Sequence, residues 1–292
     1  MLLSHFTSGS ATSRRRPALH TGNAVVRLSM RFVSAFVDNP RGTIRSVQGL
    51  TFFLFDLIRY RRLEQEAACS LRLRFRNLYP RLNDRFAGAG VASGHYFHQD
   101  VWAARRVFDA APSEHVDVGS RVDGFVAHLL TFRAVTVIDL RPLDGGDSRL
   151  RFLQADIRSL PQPDRSVESL SCLHAIEHVG LGRYGDGIDP RGHIKAMREL
   201  QRVVADGGRL YFSAPIGWER LEFNAHRILA PKTILKAFDE LALLEFSAVD
   251  DEGRLIERAE VSEFENATYA CGLFLFERPS PATPRRATEL AG

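Results

Sequence analysis

Cysteine is scarce in this sequence. The three cysteines, Cys69, Cys172 and Cys271, lie far apart and form no Cys-x-x-Cys pair. That spacing argues against a disulfide framework and a cysteine zinc site, and suits a reducing compartment. Long apolar runs are also missing. Leu50-Thr-Phe-Phe-Leu-Phe-Asp-Leu-Ile58 falls far short of the ~20 residues that span a bilayer. The first 16 residues have no long apolar core, which argues against a secretory signal. No acidic residue precedes Asp38, in a segment rich in Arg and Ser. In a eukaryotic source that composition would suit a mitochondrial presequence. No internal repeat marks a solenoid.

What is present is ordinary globular composition with uneven charge. Residues 1–106 hold 17 Lys+Arg against 6 Asp+Glu, and residues 107–292 hold 22 against 29. A basic front end on an acidic body predicts a surface for anions: phospholipid head groups or a nucleotide-linked substrate, with nucleic acid less expected. A merely solvated basic face is the plainer alternative. Residues 1–23 read as a disordered basic tail around Arg14-Arg15-Arg16-Pro17. Residues 24–94 read as a mainly helical extension, in which 24–38 is a short basic helix. Ile44, Val47, Leu50, Leu54, Phe55 and Ile58 have helical spacing, with Arg45, Arg59, Arg61 and Arg62 beside them. Such a helix either packs on the main domain or lies on a membrane surface. Ser70–Arg76 alternates apolar and basic residues, as a half-wet strand does. Residues 95–279 form the main domain, and 280–292 read as a loose tail. A cytoplasmic protein, with peripheral contact at the inner membrane surface, fits these features. Oligomeric state is not legible.

Strand and helix patterns alternate from residue 114. Strands are predicted at His115–Val118, Ala134–Leu140, Leu150–Ala155, Ser166–Leu173, Arg209–Ala214, Leu243–Val249 and Tyr269–Glu277. Helices are predicted at Gly124–Phe132, Pro190–Val204 (closed by Gly207-Gly208) and Pro231–Leu241. Alternation of this kind implies an α/β fold: a Rossmann-like, mostly parallel seven-stranded sheet with helices on both faces. No helical pattern separates the last two strands, so that pair is predicted to be antiparallel.

Three acids, Asp117, Asp139 and Asp156, end three consecutive strands, and ligands of open α/β sheets bind at that edge. Gly119 and Gly124 let backbone approach a ligand at the first turn, and Asp139, 20 residues beyond Gly119, suits two ribose hydroxyls. Asp156 can accept from an exocyclic amine while Ile157 covers a purine face. Each acid singly could be a helix cap. At the end of strand four, His174, Glu177 and His178 cluster before the glycine-rich Gly180–Gly187. His178 is the first candidate base, with Glu177 to orient it or act instead; both could equally be structural. Asp186, Asp189 and His226 are further candidates for acceptor contacts. His95 and His98 are candidates to cover a cofactor from the front.

Val116-Asp-Val-Gly-Ser120, Val137-Ile-Asp139, Ala155-Asp-Ile157, His174-Ala-Ile-Glu-His178 and Gly207-Gly-Arg-Leu-Tyr-Phe212 resemble the ordered motifs of class I S-adenosylmethionine-dependent methyltransferases. Tyr96-Phe-His-Gln-Asp100, Asp117–Arg121, His174–Asp189, Phe223-Asn-Ala-His226 and Tyr269-Ala-Cys-Gly272 resemble the narrower DUF268 family, of uncharacterised function. The resemblance covers roughly residues 79–278. It implies S-adenosylmethionine as cofactor, with Asp117 and Gly119 under the methionine moiety, Asp139 on the ribose, Asp156 and Ile157 at the adenine, and Ser120, Arg121 and His174 also among the cofactor-binding residues. It further implies O-methylation of a sugar or glycan precursor, through the family's loose association with surface-polysaccharide biosynthesis. Arg121 departs from the broad pattern, which has a second glycine there. Such a side chain could crowd the cofactor, bind its carboxylate or face an anionic acceptor.

Two other classes stay open. A non-catalytic, methyltransferase-like scaffold would bind a partner or membrane through the basic front end. An NAD-dependent oxidoreductase would also use Asp139, but G-x-G-x-x-G is missing. His174–His178 matches the H-x-x-E-H of some zinc peptidases, yet it falls at a strand end and breaks at Gly180. No metal site is expected.

Overall fold

The computed structural model describes residues 40–66, 73–74 and 78–280. The segments 1–23 and 24–38, most of Ser70–Arg76, and all but the first residue of the 280–292 tail lie outside them. The chain divides into two compact units between Gly90 and Val91.

In the first unit, helix α1 spans Pro40–Glu66, opening on a proline whose missing N–H costs nothing there. The observed helix includes the predicted Ile44–Tyr60 stretch. Gly49 lets the Leu82 backbone approach so closely that a β-carbon would collide with its carbonyl. Arg85 fastens the same side, bonding Asp56 at 2.8 Å and lying 4.2 Å over the Phe52 ring. Val47, Leu50, Leu54, Phe55 and Ile58 remain exposed. They share one side of a 3.6-residue helix. Among the described residues, no helix is long and apolar enough to cross a membrane.

The second unit is the α/β domain. It contains α2 (Gly94–Ala110), β1 (His115–Val118), α3 (Ala127–Leu130), β2 (Val135–Asp139), β3 (Leu150–Gln154), β4 (Val167–Leu173), α4 (Gly192–Val203), β5 (Val204–Ile216), β6 (Arg220–Glu222), β7 (His226–Ile228), α5 (Pro231–Ala237), β8 (Ala242–Val249), β9 (Leu255–Ile256) and β10 (Ala270–Glu277). The main sheet runs β3-β2-β1-β4-β5-β10-β8-β9. β1 to β5 pair in parallel, and β10 enters antiparallel between β5 and β8. The predicted antiparallel pair is therefore present. The sheet has eight strands rather than seven because Leu255–Ile256 folds back onto Ala248–Val249. A separate hairpin, β6–β7, has no counterpart in the pattern reading, its three-residue strands being too short to show a period.

Strand alternation feeds two cores. Leu210, Phe212 and Phe274 face a layer with Met197, Leu200 and Phe238. Tyr211, Leu273 and Leu275 face the other, with Trp102, Val107 and Leu129. Two local predictions need correction. Gly207-Gly208 does not close a helix. α4 ends at Val203, and the pair lies inside β5, where Gly207 N–H donates to Arg278 O at 2.8 Å and Arg278 N–H donates to Gly208 O at 2.9 Å. The helix after β1 opens earlier than Gly124, as a wide π turn over Val122–Val126. Gly124, inside that turn, makes room for Asp100: a β-carbon there would strike the Asp100 carboxylate.

Candidate functional site

The strand order reverses between β1 and β4, and a crevice opens there beyond the carboxyl ends of the parallel strands. It is a cavity of about 450 Å³, lined by Gly119, Ser120, Arg121, Asp139, Asp156, Ile157, His174 and His178 among others. That size lies in the range of roughly 300–1,000 Å³ typical of small-ligand sites. Asp117 and Glu177, also singled out from sequence, are not among the lining residues.

The turn after β1 sets the floor. Gly119 has φ +75°, and a β-carbon there would come within 2.9 Å of the Ala175 side chain. Both conditions favour glycine. Asp117 sits beneath the turn, fully buried. It accepts from Ser120 N–H at 3.1 Å, Ser120 Oγ at 2.6 Å and Ser171 Oγ at 2.5 Å. Burial pushes its carboxyl up to about 6. Ser171 in turn meets His115, whose other ring nitrogen meets Ser169. Asp117 thus shapes the glycine turn from below. Arg121 occupies ordinary extended backbone, φ −71° and ψ 124°, so a side chain costs nothing where a glycine stands in the broader pattern. Its guanidinium pairs with Asp123 at 3.0 Å and lies 5.2 Å from the Tyr96 ring centre.

The two outer acids share one local arrangement. Asp139 Oδ1 accepts from Arg141 N–H and Nε at 2.8 and 3.0 Å, and Oδ2 from Nη2 at 2.8 Å. Asp156 is held the same way by Arg158, which keeps its carboxyl below the usual range. Among the described residues Asp139 Oδ2 accepts one hydrogen bond, from Arg141 Nη2, which leaves acceptor capacity there. Leu140, Phe152, Ala155 and Ile157 add apolar wall between the acids. A glycine cradle, a half-buried carboxylate with a free lone pair and this apolar slot fit an adenosyl group.

On the opposite wall, His174 follows β4 with φ +51°. Ile176–His178 form a 3-10 turn. His178 Nδ1 donates to Ala225 O at 2.7 Å, so Ala225, rather than Glu177, orients the ring. Nε2 is then the lone-pair nitrogen, 3.6 Å from Glu177 Oε1, too far for a hydrogen bond. Burial lowers His178 to about 4 and raises Glu177 to about 8. Both are therefore neutral at pH 7. Glu177 Oε2 is buried with no partner among the described residues. The H-x-x-E-H histidines do not form a helical pair: His174 Nε2 faces His95 Nδ1 at 3.3 Å, while His178 turns to Ala225.

Of the weaker candidates, Asp186 lines the cavity and accepts from Gly180 N–H. Asp189 is taken by Lys195 at 2.7 Å. His226 pairs with Glu222 at 3.2 Å and stands 6.4 Å from His178, ring centre to ring centre. His95 stacks on Tyr269 with centres 5.0 Å apart, and His98 meets Phe97. Sequence reasoning missed Arg141, Arg158, Tyr184, Asp100 and Cys271. The repeated Asp-x-Arg of Asp139–Arg141 and Asp156–Arg158 was the available signal for the first two. The others come together only through the fold.

Residues 162–261 match the family model described as Caenorhabditis protein of unknown function, DUF268. Over that segment the DUF268 resemblance read from the motifs is shown. No curated protein matches the sequence. Among solved structures, the chain is similar to the cyclase SpnF at 13% identity and TM-score 0.47, covering 67% of this chain and 90% of that one. It is similar to the N-methyltransferase NodS from Bradyrhizobium japonicum, in complex with S-adenosylhomocysteine, at 14% identity and TM-score 0.45, covering 64% and 89%. It is also similar to the YcgJ protein of Bacillus subtilis at 15% identity and TM-score 0.43, covering 62% and 99%.

Proposed function

We propose that the protein is an S-adenosylmethionine-dependent methyltransferase acting on a hydroxyl of a sugar or glycan-precursor acceptor. The observation that carries the reading is the cavity at the sheet's reversal point, where Gly119, Asp139, Asp156 and Ile157 share one lining. Asp139 would accept from the ribose hydroxyls, Ile157 would cover the adenine, and the Gly119–Ser120 backbone would approach the methionine moiety. The bound cofactor supplies an activated methyl sulfonium. The chain's own part is alignment and proton handling. Neutral His178 exposes its Nε2 lone pair beside Glu177, so it can take a hydroxyl proton as the methyl leaves sulfur.

Exposed Val47, Leu50, Leu54, Phe55 and Ile58 on α1, with Arg59, Arg61 and Arg62 at its C-terminal end, support a lipid-linked acceptor met at an anionic membrane surface.

The test is transfer from methyl-labelled cofactor into a fractionated cell extract. Label in the carbohydrate or lipid-linked carbohydrate fraction is the result expected. Label confined to protein or RNA would overturn the acceptor class.

A further inference from the structure

Three side chains of metal-ligating type, none of them used in the proton transfer proposed above, converge at this cavity, whose lining includes His174. His95 comes from the first turn of α2, His174 from the residue after β4, and Cys271 from β10. One donor atom from each lies within 4.8 Å of the other two. His95 Nδ1 and His174 Nε2 stand 3.3 Å apart, while Cys271 Sγ lies 3.8 Å from the other ring nitrogen of His174, Nδ1, so its thiol must swing toward Nε2 to complete the set. Metal–nitrogen bonds of about 2.0–2.1 Å in tetrahedral zinc put neighbouring nitrogens about 3.4 Å apart. The histidine pair already has that separation.

The surroundings fix which nitrogen is available. Ser213 Oγ gives its proton to Gln99 Oε1 at 2.7 Å. It can therefore accept from His174 Nδ1–H at 3.3 Å, leaving Nε2 with the lone pair toward His95. Metal-binding histidines are commonly oriented in this way by a second hydrogen bond. His174 is held there at a backbone cost, since φ +51° is unfavourable for a residue with a β-carbon. Its backbone N–H bonds Ser213 O and Oγ, both at 3.1 Å, which holds it in place.

We propose that His95, His174 and Cys271 form a binding site for a divalent cation of the zinc class, with an open coordination position toward the cavity for an oxygen ligand. Two imidazoles and a thiolate select zinc-like ions over magnesium or calcium, which prefer oxygen donors. Three protein ligands with one open position is the pattern of catalytic rather than structural zinc. Binding forms the metal–sulfur bond as the Cys271 thiol proton passes to solvent, while both rings bind as neutral donors. The binding itself does not depend on the methyl-transfer reading. A role in polarising an acceptor oxygen would rest on it. The spacing of the sequence could not show this site, because its ligands lie in three distant segments.

The test is a cobalt(II) titration of the metal-free full chain, followed by zinc competition. One equivalent of cobalt should bind, with a thiolate-to-cobalt absorption band that zinc abolishes. About one proton per metal should be released. Cys271→Ser should lose the band, and His95→Ala should weaken binding at least ~10-fold. Circular dichroism would check that each variant is folded. Should Cys271→Ser not fold, His95→Ala, at a partly exposed helix start, decides the matter. Absence of saturable binding at micromolar cobalt would overturn the site, as would a band or affinity unchanged in these variants. Calorimetry with S-adenosylhomocysteine on metal-free protein reads the cofactor site separately, so the two failures are distinguishable.

Discussion

Arg141 grips Asp139 through both backbone and side chain: its backbone N–H and Nε meet Oδ1, and Nη2 meets Oδ2 at 2.8 Å. The same Arg141 lies 4.4 Å over the Tyr184 ring. The carboxylate proposed for the ribose is thus partly occupied by an arginine of its own strand end. Arg141 is about half exposed, at 49%, so the pairing is worth only about 0.5–1 kcal/mol.

Freeing Asp139 should therefore help a ligand that needs its lone pairs. Arg141→Ala is expected to tighten S-adenosylhomocysteine binding roughly 2–5-fold, the factor matching that energy. Calorimetry measures it. Weaker binding would assign Arg141 itself to the ligand.

Much of the fold was legible because long strands carry clear periods. β1 to β4 fell within a residue or so of their predicted bounds, since each is a short run rich in Val, Leu or Ile next to turn-forming residues. Position 117 is ambiguous for a physical reason. An acid at a strand end reads the same whether it reaches a ligand or, as here, bonds Ser120 and Ser171 beneath the turn. Gly207-Gly208 misled similarly, because glycine closes helices and also permits a strand irregularity. Tyr96 and Cys271 lie in stretches that carry the DUF268 resemblance, but their roles had no local signal, because tertiary packing brings them to the site.

Glu177 makes a pH prediction. The unfolded side chain releases its proton near 4.5, the folded one near 8. Between those values the folded state holds more protons, so this residue makes stability fall as pH rises. Glu177→Gln should thus be more stable than wild type at pH 8–9, by on the order of 2–4 kcal/mol, and melt at a higher temperature. At pH 5 the two should be nearly equal. Thermal melts across pH check this, and a gap that widens toward acid would contradict it.

His178 is assigned to the proton rather than to the cofactor. His178→Ala should lower kcat by about 10²–10⁴-fold, the usual worth of a general base. Affinity for S-adenosylhomocysteine should change less than ~3-fold. A parallel loss of both would make His178 a binding residue instead.

The central claim is that the cavity over Gly119 and Asp139 holds an adenosyl cofactor. Its most direct test is isothermal calorimetry of the folded full chain with S-adenosylhomocysteine, beside Asp139→Ala. Wild type should give saturable one-to-one heat and the variant at least ~10-fold weaker binding, as expected when a charge-assisted hydrogen-bond partner is removed. No heat at millimolar ligand from well-folded wild type, or equal affinity in both proteins, would contradict it.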